Sequence, residues 1–167
     1  WNENYEDSSL IFNIDRTITV NASSHNDNDI RVVVNAKDNA GNTNTRSYTF
    51  GIDVTAPTIE VEYDNNDAQN GRYFKADRVA TVTVTERNFS SDLIDISTQS
   101  SNISSWSYSK GSDANGDDDK WTAEITYNVD GEYTLDISGE DLLGQSAGSI
   151  SYSGTAPQDF VIDKTAP

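Results

Sequence analysis

The sequence predicts an all-β protein built as two tandem β-sandwich units, the first of them partial, and three observations carry that prediction. Ile and Val number 24 against five Leu, and β-branched side chains, stiff at χ1, suit a pleated strand better than a helix. Apolar residues recur at every second position in short runs bounded by Gly, Asn, Asp and Ser, and no run of ten or more residues keeps a helical period. A strand–turn–strand segment ending in Thr-Ala-Pro also occurs twice, which makes the chain a repeat.

The repeat defines the units. Phe50-Gly51-Ile52-Asp53-Val54-Thr55-Ala56-Pro57 returns as Phe160-Val161-Ile162-Asp163-Lys164-Thr165-Ala166-Pro167. Upstream, Ile30 to Asn42 matches Tyr133 to Gln145, including the turns Asp38-Asn39-Ala40-Gly41-Asn42 and Asp141-Leu142-Leu143-Gly144-Gln145. Proline lacks the N–H that a ladder needs, so each Thr-Ala-Pro exit ends a unit. The boundaries fall at 1–57, the later strands of one unit or a minimal sheet, and 58–167, a complete sandwich.

Period two then assigns each strand its inward set. In the first unit these are Leu10, Phe12 and Ile14; Ile18, Val20 and Ala22; Ile30, Val32, Val34 and Ala36; and Tyr48, Phe50 and Ile52. In the second they are Ile59, Val61 and Tyr63; Ala80, Val82 and Val84; Leu93 or Ile94 with Ile96; Trp106 and Tyr108; Trp121, Ala123, Ile125 and Tyr127; and Tyr133, Leu135 and Ile137. Ile150 and Tyr152 begin a seventh strand. Seven short strands make two facing antiparallel sheets, with a closed barrel as the alternative. The run Asp130-Gly131-Glu132-Tyr133 favours the sandwich, because it is similar to a tyrosine corner, in which a Tyr hydroxyl bonds back to the main chain just upstream.

Charge and composition exclude several classes of function. With 28 Asp and Glu against 11 Lys and Arg, the chain carries a formal charge of −17. No cationic cluster exists to displace counterions from a nucleic acid or to settle on an anionic membrane. No stretch approaches the roughly twenty apolar residues of a spanning helix. The absence of Cys removes disulfides, thiol nucleophiles and thiolate-bound zinc, and it points to a bacterial extracellular protein.

The paired Asp-x-Thr-Ala-Pro exits, the Asp38–Asn42 turn, and Tyr73-Phe74 followed by Arg78 to Phe89 carry a resemblance. Through them the chain resembles the tandem bacterial immunoglobulin-like repeats of Gram-positive cell-surface proteins. The resemblance implies Ig-like sandwiches in a secreted or wall-attached, non-enzymatic protein. It implies either a module that binds a host protein or glycoprotein, host immunoglobulin among them, or a stalk of neighbouring repeats that presents a distal binding domain. A stalk should be evenly polar, whereas a receptor should expose a sizeable apolar patch.

Candidate chemistry is sparse. His25, the only histidine, lies in a polar loop without a scaffold for a Ser-His-Asp triad. Asp113, Asn115, Asp117 and Asp119, with Glu124, fall at the oxygen-donor positions of a Ca²⁺ loop, but Asp118 stands where such a loop needs Gly. A solvated hairpin tip is the competing reading. Asp64-Asn65-Asn66-Asp67 is a second acidic run that could meet Asp53 or the Asn39 turn at the junction and share a cation there. Trp106 and Trp121 share phase with apolar neighbours and are expected in the core rather than stacked on a sugar. Tyr73 and Phe74 are expected to cover the open end of the sandwich.

Overall fold

The computed structural model describes residues 17–21, 26–154 and 157–167. Among them are twelve strands and a single 3₁₀ turn at Ser91–Leu93, and no helix is long and apolar enough to cross a membrane. The protein is all-β. In the first unit, β1 (Asp27–Lys37) pairs antiparallel with β2 (Thr43–Ile52). In the second unit, β3 (Thr58–Tyr63), β5 (Arg78–Thr85), β7 (Ser107–Ser109), β8 (Lys120–Tyr127) and β11 (Ser151–Tyr152) form one sheet in the order β11-β3-β5-β8-β7. Opposite it run β4 (Tyr73–Phe74), β12 (Phe160–Ile162) and β9 (Gly131–Tyr133), in the order β4-β12-β9, together with β10 (Leu135–Gly139) paired to β6 (Ile94–Thr98). Only Thr134 separates β9 from β10, so these two small sheets are one layer.

The second unit buries the residues that the alternation marks. Along β5 and β3 every second residue is buried. Val61, Val82 and Ile125 from one sheet share a core with Leu135, Phe160 and Ile162 from the other, the arrangement of a β-sandwich. Each fully buried aliphatic side chain contributes roughly 1.5–3 kcal/mol. The Tyr133 hydroxyl donates to the Val129 carbonyl at 2.8 Å, the bond a tyrosine corner requires. Arg78 continues the inward phase of β5 and is fully buried. Its guanidinium carbon lies 3.5 Å from the Tyr63 ring centroid and 4.4 Å from those of Phe74 and Phe160, while Nε and Nη1 donate to the Asn65 and Pro157 carbonyls.

Several expectations need correction. Tyr73 and Phe74 form strand β4, parallel to β12, with Phe74 in the core and Tyr73 exposed. Residues 151–152 pair parallel with β3 as an added edge, and the last strand of the facing layer is β12. Tyr108 is exposed because β7 is an outer edge strand of only three residues. Trp106 and Trp121 pack at the core margin, where Phe89 lies 5.1 Å from Trp106 and stacks at 4.6 Å on Trp121.

The first unit departs further. Residues 17–21, expected as a strand, carry none. The β1–β2 register places Ile30 opposite Phe50 and Val32 opposite Tyr48 as the period requires. Yet Val34, Ala36, Tyr48 and Phe50 are exposed, because among the described residues no second layer faces this ladder. Leu10, Phe12, Ile14 and Ala22 lie outside the described residues.

Antiparallel pairing sorts the loops of the second unit to two ends. Strand β3 leaves from Pro57, so the loops after β5, β7 and β10 return to the first unit. Those after β3, β6 and β8, and the exit after β12, lie at the far end.

Candidate functional site

The three near-end loops converge on the exit of the first unit. Asp53 follows the last residue of β2, and its side chain has no solvent exposure. Asp53 Oδ1 accepts the Thr55 N–H at 3.0 Å and the Thr55 hydroxyl at 2.7 Å, while Oδ2 accepts the Asn88 amide. Arg87, with a side chain only 3% exposed, reaches Asp53 Oδ1 at 3.0 Å and Asp117 Oδ1 at 2.8 Å. Nη1 also donates to Asn26 O at 3.2 Å and Nη2 to Asn26 Oδ1 at 2.9 Å and Ile52 O at 3.3 Å, while the buried Nε has no partner among the described residues. One guanidinium thus joins residues of the first unit to the loop after β7. Such charge-assisted bonds are about twice as strong as neutral ones.

The turn after β10 closes the other side. Gly144, at φ 81°, supplies the left-handed turn that a side-chained residue resists. That turn lets Asp141 Oδ1 accept the N–H groups of Leu143 and Gln145, both at 2.8 Å. The Gln145 amide donates to Asp141 Oδ2 at 2.9 Å and to the Thr55 and Asp53 carbonyls at 3.1 and 3.3 Å. Buried Glu86 accepts the Asn88 N–H at 2.7 Å.

Asp53, Glu86 and Asp141 each offer an oxygen within 4.8 Å of the others, a span that one cation could bridge. Asp53 and Asp141 spend their oxygens on N–H and O–H donors and on Arg87, so the arginine supplies the local positive charge. The electrostatics follow from this crowding. Burial pushes the Glu86 carboxyl above its ordinary range, and the negative charges of Asp53 and Asp141 add to the shift. Burial acts the same way on Asp53, but the bonds from Thr55 and Asn88 and the charge of Arg87 outweigh it and hold its pKa below the ordinary value. The chemistry of the arrangement is therefore cohesive: a buried polar joint between units.

Among the described residues Asp113, Asp117 and Asp119, expected in a Ca²⁺ loop, do not form a group of carboxylate oxygens within 4.8 Å of one another. Asp113 Oδ1 accepts the Asn115 N–H, Asp117 pairs with Arg87, and Asp119 accepts from Gly111 N and the Tyr108 hydroxyl. Asp118 organises the loop instead, accepting the N–H of Asp113 and both donors of Ser112. Glu124 lies exposed on β8. Nor does the Asp64–Asp67 run reach the junction. Strand β3 carries it to the far end, where Asp64 accepts the Val79 N–H and Asn66 bonds Tyr63 O. His25 lies outside the described residues.

Sequence reasoning named Asp53 and Asp117 but missed the roles of Glu86, Arg87, Asn88, Asp141 and Gln145. The signal for Asp141 was present in its repeat match with Asp38. That for Arg87 lay in strand parity, since a chain leaving the junction along one strand returns along the next. No protein family, curated protein or solved structure matches this chain in comparison.

Proposed function

We propose that this chain is a non-enzymatic, stiffly jointed pair of Ig-like modules from a bacterial extracellular or wall-attached protein, acting as a spacer that holds a binding surface away from its anchor. The observation that carries this reading is the joint itself. A spacer transmits orientation only if its units do not swivel, and a buried ion pair with five acceptors around one guanidinium opposes swivelling. Support for the Ig-like assignment comes from the sheet order β3-β5-β8-β7 facing β6-β10/β9-β12-β4, and from the Tyr133 corner. The bacterial, extracellular assignment rests on the absence of Cys, the acidic charge and the resemblance of the repeated exits.

Small-angle scattering of the chain and of Arg87→Ala tests the spacer. A single extended conformer that broadens into a bent ensemble in the variant supports it. Equal flexibility in both refutes it.

A second reading, binding of a host protein or glycoprotein, is favoured by one feature. Tyr48 and Phe50 stand exposed on the apolar face of the β1–β2 ladder, at 64% and 39%. Such a partner would be neutral or basic at its contact surface, given the charge of −17. Pull-down from serum and mucosal secretions with the wild type and Tyr48→Ser tests it. One saturable host protein lost in the variant supports binding, and none at all leaves the spacer.

A further inference from the structure

The acceptor set that holds Arg87 occurs a second time, at the far end of the second unit. In the joint, Asn26 Oδ1 accepts the Val54 N–H at 3.1 Å, and Asp53 Oδ1 accepts that of Thr55 at 3.0 Å. At the far end, Asp130 Oδ1 accepts the Lys164 N–H at 3.0 Å, and Asp163 Oδ1 accepts that of Thr165 at 3.2 Å. The strand registers agree. Ile52 pairs with Asp27, one residue after Asn26, and Ile162 pairs with Gly131, one residue after Asp130. A bulge between Asp27 and Ile30 accounts for the extra residue in the first unit. Asn26, Ile52 and Asp53 therefore correspond to Asp130, Ile162 and Asp163.

In the joint these three residues offer Arg87 four acceptors: Asn26 O, Asn26 Oδ1, Ile52 O and Asp53 Oδ1. At the far end Asp130 and Asp163 are exposed, and an aspartate replaces the asparagine, so the equivalent site carries one more negative charge. Lys164 does not fill it. Its ammonium is turned to Asp77 Oδ1 at 2.8 Å and Asn128 O at 2.7 Å. The Thr165 hydroxyl donates to Asp130 Oδ2 at 2.6 Å, where in the joint the Thr55 hydroxyl donates to Asp53 Oδ1, so a guanidinium here shares Asp130 with that hydroxyl.

The geometry points to a guanidinium-binding site formed by Asp130, Ile162 O and Asp163, whose occupant is the arginine of a Glu-Arg-Asn loop like 86–88 on a further unit of this kind. Arg87 of a second copy is already enclosed in its own joint, so the partner's arginine must come from a unit whose near end is unoccupied. This site goes beyond the spacer reading and does not depend on it.

The test is an amide-resolved NMR titration of the ¹⁵N-labelled full chain with the blocked pentapeptide Thr-Glu-Arg-Asn-Phe, the sequence of residues 85–89. Saturable shifts are expected at Gly131, Lys164 and Thr165, with a dissociation constant of about 1 mM, the scale of one small contact without the rest of an interface. The peptide carrying Lys for Arg should bind at least about threefold more weakly, because a planar fork matches this acceptor set and an ammonium does not. Asp163→Ala and the milder Asp163→Asn should each weaken binding several-fold while the remaining spectrum stays put. Equal binding of the Lys peptide, shifts that persist in both variants, or no shift up to about 20 mM, some twentyfold above the expected constant, would each overturn the assignment.

Discussion

The turns Asp38–Asn42 and Asp141–Gln145 make the same bonds and live in different worlds. In each, the Asp N–H donates to the carbonyl of the residue four positions on, the Gly N–H returns to the Asp carbonyl, and the Asp carboxylate accepts that last residue's N–H. In each the final amide, Asn42 or Gln145, also ties back to the carboxylate. Gly41 and Gly144 share the left-handed backbone, at φ 94° and 81°. Asp38 nevertheless stands in water, whereas Asp141 is 1% exposed and faces Asp53 and Glu86. Local sequence builds the turn, and only the neighbour brought against it turns a loop into a joint.

The largest expected effect comes from breaking the joint at its cation. Arg87→Ala leaves Asp53 buried without its ion pair, a situation that costs about 3–5 kcal/mol. Urea denaturation should show the loss, and the first unit should melt separately from the second. A single unshifted transition would mean that Arg87 holds nothing.

The contrast between the turns is tested next. Asp141→Ala removes the buried carboxylate that accepts the N–H groups of Leu143 and Gln145 and the Gln145 amide in the part-buried joint, and losing bonds to a charged acceptor costs about 1–3 kcal/mol. Asp38→Ala, whose turn faces solvent, should change the melt far less, because water replaces the lost acceptor. Equal losses would show that burial is not what separates the two turns. Tyr133→Phe gives an internal scale, with loss of the bond to Val129 O expected to cost about 1 kcal/mol.

Glu86→Gln produces the smallest effect, and its sign matters most. A carboxyl whose folded pKa is raised favours folding when protonated, and that contribution is lost as pH rises through the folded value. The wild type should therefore fall behind Glu86→Gln as pH climbs above the ordinary Glu range, and the two should converge in acid. Asp53 runs the opposite way. Its depressed pKa stabilises the fold above the unfolded value and is lost as pH falls, so Asp53→Asn should narrow its deficit against the wild type in acid. Melts of both variants from acid to mildly alkaline pH decide the signs.

The β1–β2 hairpin, the longer strands of the second unit with most of their inward residues, and the repeated turns were legible in the amino-acid sequence, because each reflects short-range geometry. The absent strand at 17–21, strand β4 and the exposure of Tyr108 were not. Side chains alternate across a strand, Pro57 ends a ladder, and Gly144 reverses the chain, whatever lies nearby. Tyr133 was legible too, since its partner Val129 is four residues away. The joint was not. Asp53, Arg87, Asp117 and Gln145 meet only because antiparallel pairing returns alternate loops to one end, and across 34, 64 and 92 residues no local pattern records that. The acidic run at Asp64 shows the reverse failure, for its composition suited the junction while one strand's length carried it to the opposite end. Sequence determined which side chains face inward, and the tertiary structure decided which buried charges face each other. The first depends on a two-residue period and the second on the order and direction of the strands.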